Sequence, residues 1–132
     1  VLEAMVDELA LPIRMHCVET VREADGLALS SRNRYLSPQE RGSAVAMFKA
    51  LDQLKQAIEA KEASALLQKR RNELHAQLSV AGFRLEYVDV YDVPTLTPVL
   101  EPHPGQPLVV AAAGWLGQTR LIDNLLIDTE SI

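Results

Sequence analysis

The stretch LHAQLSVAGFRLEYVDV, residues 74–90, decides the fold. Up to Ala81 the apolar residues recur at helical spacing, with Leu67, Leu74, Leu78 and Ala81 on one face. Gly82 is a natural C-cap residue. Beyond it Phe83, Leu85 and Tyr87 alternate with Arg84 and Glu86, and Val88 and Val90 then populate the other face, so the chain turns from helix to strand. Upstream, Ser37-Pro38-Gln39-Glu40 offers a capping serine, a proline at the first helical position and a glutamate three residues after the cap. Ala44, Met47, Phe48, Leu51, Leu54 and Ile58 follow, which predicts a helix over 38–60. A second is predicted over 63–81, and the short link makes the two an antiparallel pair.

Downstream, residues 92–106 hold Pro94, Pro98, Pro102, Pro104 and Gly105 and read as a connection, with one helical turn near 95–100. Leu108–Ala113 is an apolar run with the character of a buried strand, and Thr119–Ile127 is a third strand. Gly117-Gln118 between them makes a hairpin. Residues 130–132 read as a frayed end. At the other end, Leu2, Met5, Val6 and Leu9 form the stripe of a helix over 1–11, closed by Pro12, and 13–21 reads as a strand. A helix followed by a strand is what the last unit of a doubly wound α/β domain supplies. The expected fold is therefore α+β: a two-helix pair on a three-stranded antiparallel sheet, preceded by a helix–strand remnant of a Rossmann-like domain. The apolar stripe at the first residues and the missing initiator Met suggest a piece of a larger protein.

The composition excludes several classes. Of 132 residues, 48% are hydrophobic, enough for one core, and aromatics are only 5%, so that core is aliphatic. Thirteen basic against eighteen acidic residues give −5, the reverse of a nucleic-acid binder's balance. No apolar run reaches the roughly 18 residues of a membrane span, and no charged-then-apolar signal sequence opens the chain. The single Cys17 rules out an internal disulfide and argues against a cysteine-built zinc site. A soluble protein of a reducing compartment is expected.

The densest polar cluster is Arg22-Glu23-Ala24-Asp25-Gly26 with Ser30-Ser31-Arg32-Asn33-Arg34. Glu23–Gly26 is turn chemistry. Two hydroxyls followed by a guanidinium can clamp phosphate, although no P-loop pattern is present. On residue types alone an ordinary solvated loop is the better account. His16, His75 and His103 lack partners at ligand spacing and read as structural or surface residues. Cys17, mid-strand, reads as a small core hydrophobe. Asp89, Asp92 and Glu101 are acid–base candidates only in principle, with edge solvation preferred. Lys69-Arg70-Arg71 reads as a solvated helix face or a partner for Glu73. Trp115 is expected at a strand end with its N–H partly wet. Arg120 and Asp123 can pair on or near one strand, and with Asn124 they read as a structural polar cluster.

READGLALSSRNRYL, residues 22–36, closely resembles the nucleotide-binding segment of the pantoate–β-alanine ligase family, and AAGWLGQTRLIDN, residues 112–124, resembles that family's closing hairpin. The resemblance covers essentially the whole chain. It implies a division at residue 26: 1–26 ends an N-terminal Rossmann-like nucleotidyltransferase domain, and 27–132 is the smaller C-terminal lid domain. The family joins D-pantoate to β-alanine using ATP and Mg²⁺, through pantoyl adenylate, giving pantothenate, AMP and pyrophosphate on the route to coenzyme A. It implies a cytoplasmic enzyme, a homodimer formed through the N-terminal domain, with no nucleic-acid or membrane partner. The SSRN stretch is the counterpart of the KMSKS loop of aminoacyl-tRNA synthetases. Carried over residue by residue, Leu29, Ser30, Ser31 and Arg32 contact ATP, with Ser30, Ser31 and Arg32 on its phosphates as the catalytic set. Val21 touches the adenine side. Leu29 stands where some members have Met. The family's HxGH-type histidines, GEKD-type segment and pantoate-binding glutamine are not in this sequence and would precede Val1, so the chain alone is expected to be inactive. The rival reading is a non-catalytic binding or interaction domain that keeps the fold; the intact Ser30-Ser31-Arg32 favours the ligase.

Overall fold

The computed structural model describes residues 2–129, so the expected fraying at 130–132 lies outside the described residues, as does Val1. The elements in chain order are α1 (Leu2–Glu8), a 3-10 turn (Ser31–Tyr35), α2 (Pro38–Glu59), α3 (Ser64–Val80), β1 (Phe83–Asp92), β2 (Leu108–Leu116) and β3 (Thr119–Ile127). The strands form one antiparallel sheet in the order β1-β2-β3. The α+β architecture read from the sequence is the one observed.

Helix α2 begins where its cap demands. Ser37 Oγ accepts from the Glu40 N–H at 3.2 Å, and the Ser37 N–H donates to the Glu40 carboxylate at 2.8 Å, with Pro38 opening the first turn. Its buried stripe of Ala44, Met47, Leu51, Leu54 and Ile58 packs with Leu67, Leu74 and Leu78 of α3 against one sheet face. Leu108, Val110, Ala112, Leu116 and Leu121 supply the sheet's side of this aliphatic core. Arg71, buried on α3, pairs with Asp89 at 3.1 Å and donates to the carbonyl of Val99, tying the helix to β1 and to the connection after it. Burying the charge is tolerable because both partners are present. Arg70 of the same basic run instead reaches Glu62 in the link between the helices at 2.7 Å, and Lys69 lies 3.8 Å from Glu73.

Several expectations change. The segment 13–21 forms no ladder: a strand needs a run of backbone bonds to a neighbour, and at its end the Val21 carbonyl accepts only the Leu29 N–H among the described residues. Ile13, Val18 and Val21 are accordingly exposed, and so is Cys17, which is not a core hydrophobe. The Cys17 thiol faces Glu3 at 3.4 Å, and that carboxylate pushes its pKa up. Helix α1 is shorter than its stripe and buries nothing. No helical turn forms at 95–100: Asp92 accepts from the Thr95 N–H and hydroxyl, and Val99 N–H returns to the Val90 carbonyl at 2.9 Å. Val88 and Val90 do not face away from Phe83. A bulge between Leu85 and Tyr87 leaves Glu86 out of register, so Phe83, Leu85, Val88 and Val90 all meet the core while Tyr87 turns outward.

Candidate functional site

The polar segment 22–34 folds against the α2–β3 junction. A tight hairpin forms first: Leu29 N–H donates to the Val21 carbonyl, Glu23 N–H to Leu27, and Gly26 N–H to Glu23, each at 2.9 Å. Gly26 has φ +95, and a Cβ there would lie 2.2 Å from the Phe48 ring, so both the turn and the contact require glycine. Asp25 Oδ1 accepts from Leu27 N–H, and Arg41 bridges Asp25 at 2.8 Å and Glu23 at 3.1 Å. The Arg41 hydrogen bond holds the Asp25 carboxyl below its usual pKa.

The anchor of this hairpin is Arg22. Its guanidinium grips Asp123 of β3 with two bonds, 2.7 and 2.9 Å, and also donates to the carbonyls of Gly26 and Asn124. It lies over the Phe48 ring, 4.5 Å from the centroid. Asp123 therefore does not pair with Arg120. The two residues are three apart on a strand, and odd spacing sends them to opposite faces. Arg120 pairs with Glu86 instead, at 2.6 Å, and the Trp115 indole N–H donates to the same carboxylate at 2.8 Å. Both donors draw the Glu86 carboxyl below its usual pKa, Arg120 first.

Beyond the hairpin the chain enters the 3-10 turn, which rests against β3. Ser30 caps it, its Oγ accepting from the Arg32 N–H at 3.2 Å. A cap uses a hydroxyl lone pair and leaves the O–H proton to donate. Asn33 Nδ2 donates to the Ala28 carbonyl at 3.0 Å, bracing the turn from inside. Arg34 Nε donates to the Ser31 carbonyl at 3.0 Å. The Arg32 guanidinium is exposed and makes no hydrogen bond or ion pair among the described residues.

These elements enclose a cleft of about 270 Å³ between the loop, α2 and β3. Leu29, Ser30 and Arg32 line it, with Met47 and Phe48 from α2 and Arg120 to Asn124 from β3. Ser31 and Val21 lie outside that lining; Val21 is exposed and enters through its carbonyl bond to Leu29. Sequence reasoning did not find Phe48, Asp123 or Arg120 as parts of this site. The histidines His16, His75 and His103 are exposed, and none of them lines the cleft. Among the described residues no group of three or more His, Cys, Asp or Glu could hold a metal ion. No helix of the described residues is long and apolar enough to cross a membrane.

Comparison with known proteins agrees over almost the full chain. The family model described as pantoate-beta-alanine ligase matches residues 1–126. A pantothenate synthetase of Shewanella sp. (strain MR-7) is 43% identical over 128 residues, covering 97% of this chain and 44% of that protein. The crystal structure of pantothenate synthetase from Thermus thermophilus superposes with a TM-score of 0.81 at 37% identity, covering 95% of this chain and 44% of that one. A pantoate-beta-alanine ligase from Francisella tularensis, complexed with beta-gamma ATP and beta-alanine, shares the fold at TM-score 0.59 and 20% identity. The chain thus spans less than half the length of the relatives it matches.

Proposed function

The chain belongs to the pantoate–β-alanine ligase family, and from that premise we propose that it supplies the ATP-phosphate loop of such an enzyme. The observation that carries the reading is the state of the arginines around the cleft. Arg22, Arg34, Arg41 and Arg120 are each engaged by protein oxygens, whereas Arg32 has no such partner among the described residues. A guanidinium beside the Ser30 hydroxyl, over an open cleft, is poised for an anion with planar oxygen pairs.

In this reading the whole enzyme condenses D-pantoate and β-alanine. The pantoate carboxylate attacks the α-phosphorus of ATP, and pyrophosphate leaves with growing negative charge. Ser30, Ser31 and Arg32 meet that charge, which places their contribution in the transition state. The amine of β-alanine then attacks the adenylate carbonyl and AMP departs. Leu29 and Val21 lie on the nucleoside side. Residues 1–26 complete a Rossmann-like domain, and 27–132 form the C-terminal lid. Contacts to pantoate and β-alanine, the pairing of subunits and the cytoplasmic setting of coenzyme A synthesis belong to the whole enzyme. The Mg²⁺ that accompanies ATP is assigned no residue here.

Arg32→Ala in the full-length ligase carrying this chain tests the assignment. Loss of one such donor costs on the order of 100- to 1000-fold in rate. Single-turnover measurements should show that loss in pyrophosphate release, with pantothenate formation from preformed adenylate little changed. Arg32→Lys should restore only part of the rate, because an ammonium lacks the fork. Equal slowing of both steps, or of neither, overturns the role. Turnover by the 132-residue chain alone at the rate of the whole enzyme would also contradict the division of labour proposed.

A further inference from the structure

Arg120 differs from Arg22, Arg34 and Arg41 in lining the cleft itself. Its Nε and Nη2 are bound to the Glu86 carboxylate at 3.1 and 2.6 Å, and Nη1 makes no hydrogen bond among the described residues. The pairing fixes the guanidinium plane without exhausting its donors. Glu86 itself is held in two ways. It is the residue that the β1 bulge leaves out of register, and the Trp115 indole N–H donates to its Oε1 at 2.8 Å. Bulges commonly re-aim a side chain beside a functional site. Arg120 also lines both the cleft that holds Ser30 and Arg32 and the adjoining groove formed by Arg32, Tyr35, Trp115 and Gln118. Arg32 is the other guanidinium common to the two.

We propose that Arg120 is a second phosphate-binding guanidinium, held in a fixed plane by Glu86 and Trp115 so that its Nη1 meets the same polyphosphate as Arg32. This rests on the phosphate reading of the Ser30–Arg32 loop. Two cations flanking one cleft suit a chain of phosphates better than a single phosphate, since neighbouring phosphoryl groups each bring oxygens. The Glu86 pairing keeps Arg120 from leaving its position, and a preorganised donor loses less side-chain freedom when the anion arrives.

The test titrates inorganic tripolyphosphate into the 132-residue chain by calorimetry, with circular dichroism confirming that each variant is folded. Arg120→Gln should weaken binding roughly 10-fold or more, the loss of one charge-assisted bond. Arg120→Lys, which keeps the charge without the fork, should fall between. Lys69→Gln, on the far-exposed face of α3, is the control for net charge and should change affinity no more than about twofold through screened, long-range attraction. On the unmutated chain, nitrogen-detected NMR should move the Arg120 Nη1 signal on titration while its Nε–H keeps the signature of the Glu86 bond. If Arg32→Ala weakens binding while Arg120→Gln behaves like Lys69→Gln and the Nη1 signal stays put, Arg120 is not a ligand and the loop reading stands. If neither arginine matters, or the unmutated chain binds no tripolyphosphate, the loop reading falls together with this one.

Discussion

Asp123→Asn removes the charge that holds Arg22 while keeping the side chain's size. Asp123 is 6% exposed and Arg22 17%, so the pair sits largely out of water. Deleting one partner of a buried pair costs about 3–5 kcal/mol, because the other charge is left without compensation. Here Arg22 retains the carbonyls of Gly26 and Asn124 and the face of Phe48, which offsets part of that loss. A destabilisation of about 2–3 kcal/mol follows, from two charge-assisted bonds exchanged for one weaker contact. For a domain of this size that corresponds to a melting point lower by roughly 10 °C. Urea unfolding followed by circular dichroism measures it, with Arg22→Met and the double variant completing a cycle. The double variant should be less unstable than the sum of the singles, since it leaves no orphaned charge. A midpoint for Asp123→Asn within error of the parent, or strict additivity, would show that the hairpin is held by something other than this pair.

The glycines separate by surroundings. Gly26→Ala should cost about 2–4 kcal/mol from the Phe48 clash plus positive φ, while Gly42→Ala in α2, with open space around it, should stabilise by up to about 1 kcal/mol, both read from unfolding midpoints. Amide exchange should be faster over 25–35, whose turn is exposed and held by few bonds, than over 48–58 in the buried stripe of α2; equal protection would refute this. The Glu86 carboxyl titrates lower folded than unfolded, so its contribution is present above the ordinary value of about 4.3 and is lost as pH falls through the folded value. The Trp115 indole proton should report that loss by NMR at pH below the ordinary carboxylate value, and Glu86→Gln should remove the transition.

What the sequence disclosed was local. The capping box at Ser37–Glu40, the positive-φ glycine at 82 just past the Ala81 cap and the tight turn at Gly117-Gln118 each encode their element within a few residues. Both helices and the hairpin stand where they were read, with β2 running three residues further, to Leu116. The strand expected at 13–21 failed because its pattern describes a surface, and only a neighbouring strand turns that surface into a ladder. The bulge at Glu86 was visible as a slip in the alternation of 83–90, yet the slip alone does not say whether the strand changes face or the backbone absorbs a residue. The polar cluster at 22–34 is legible by residue type, but residue types alone favour a solvated loop, and its phosphate reading rests on the family resemblance. The walls around it are not legible, since Arg22 and Asp123 stand 101 positions apart and no local pattern records such a pairing.

Residues 23–36 are pinned at both ends, by the Arg22–Asp123 grip on β3 and by the Ser37 cap of α2. In polymer terms they form a closed loop whose closure entropy is already met by folding. An anion arriving at Ser30–Arg32 therefore has only local ordering to supply. Lengthening such a tether costs little stability, about 0.6 kcal/mol per doubling of length. The same insertion would move the guanidinium off the cleft. Length in this segment is thus set by reach: under the proposed phosphate role, variants with inserted residues should fold almost unchanged and still bind the anion less tightly.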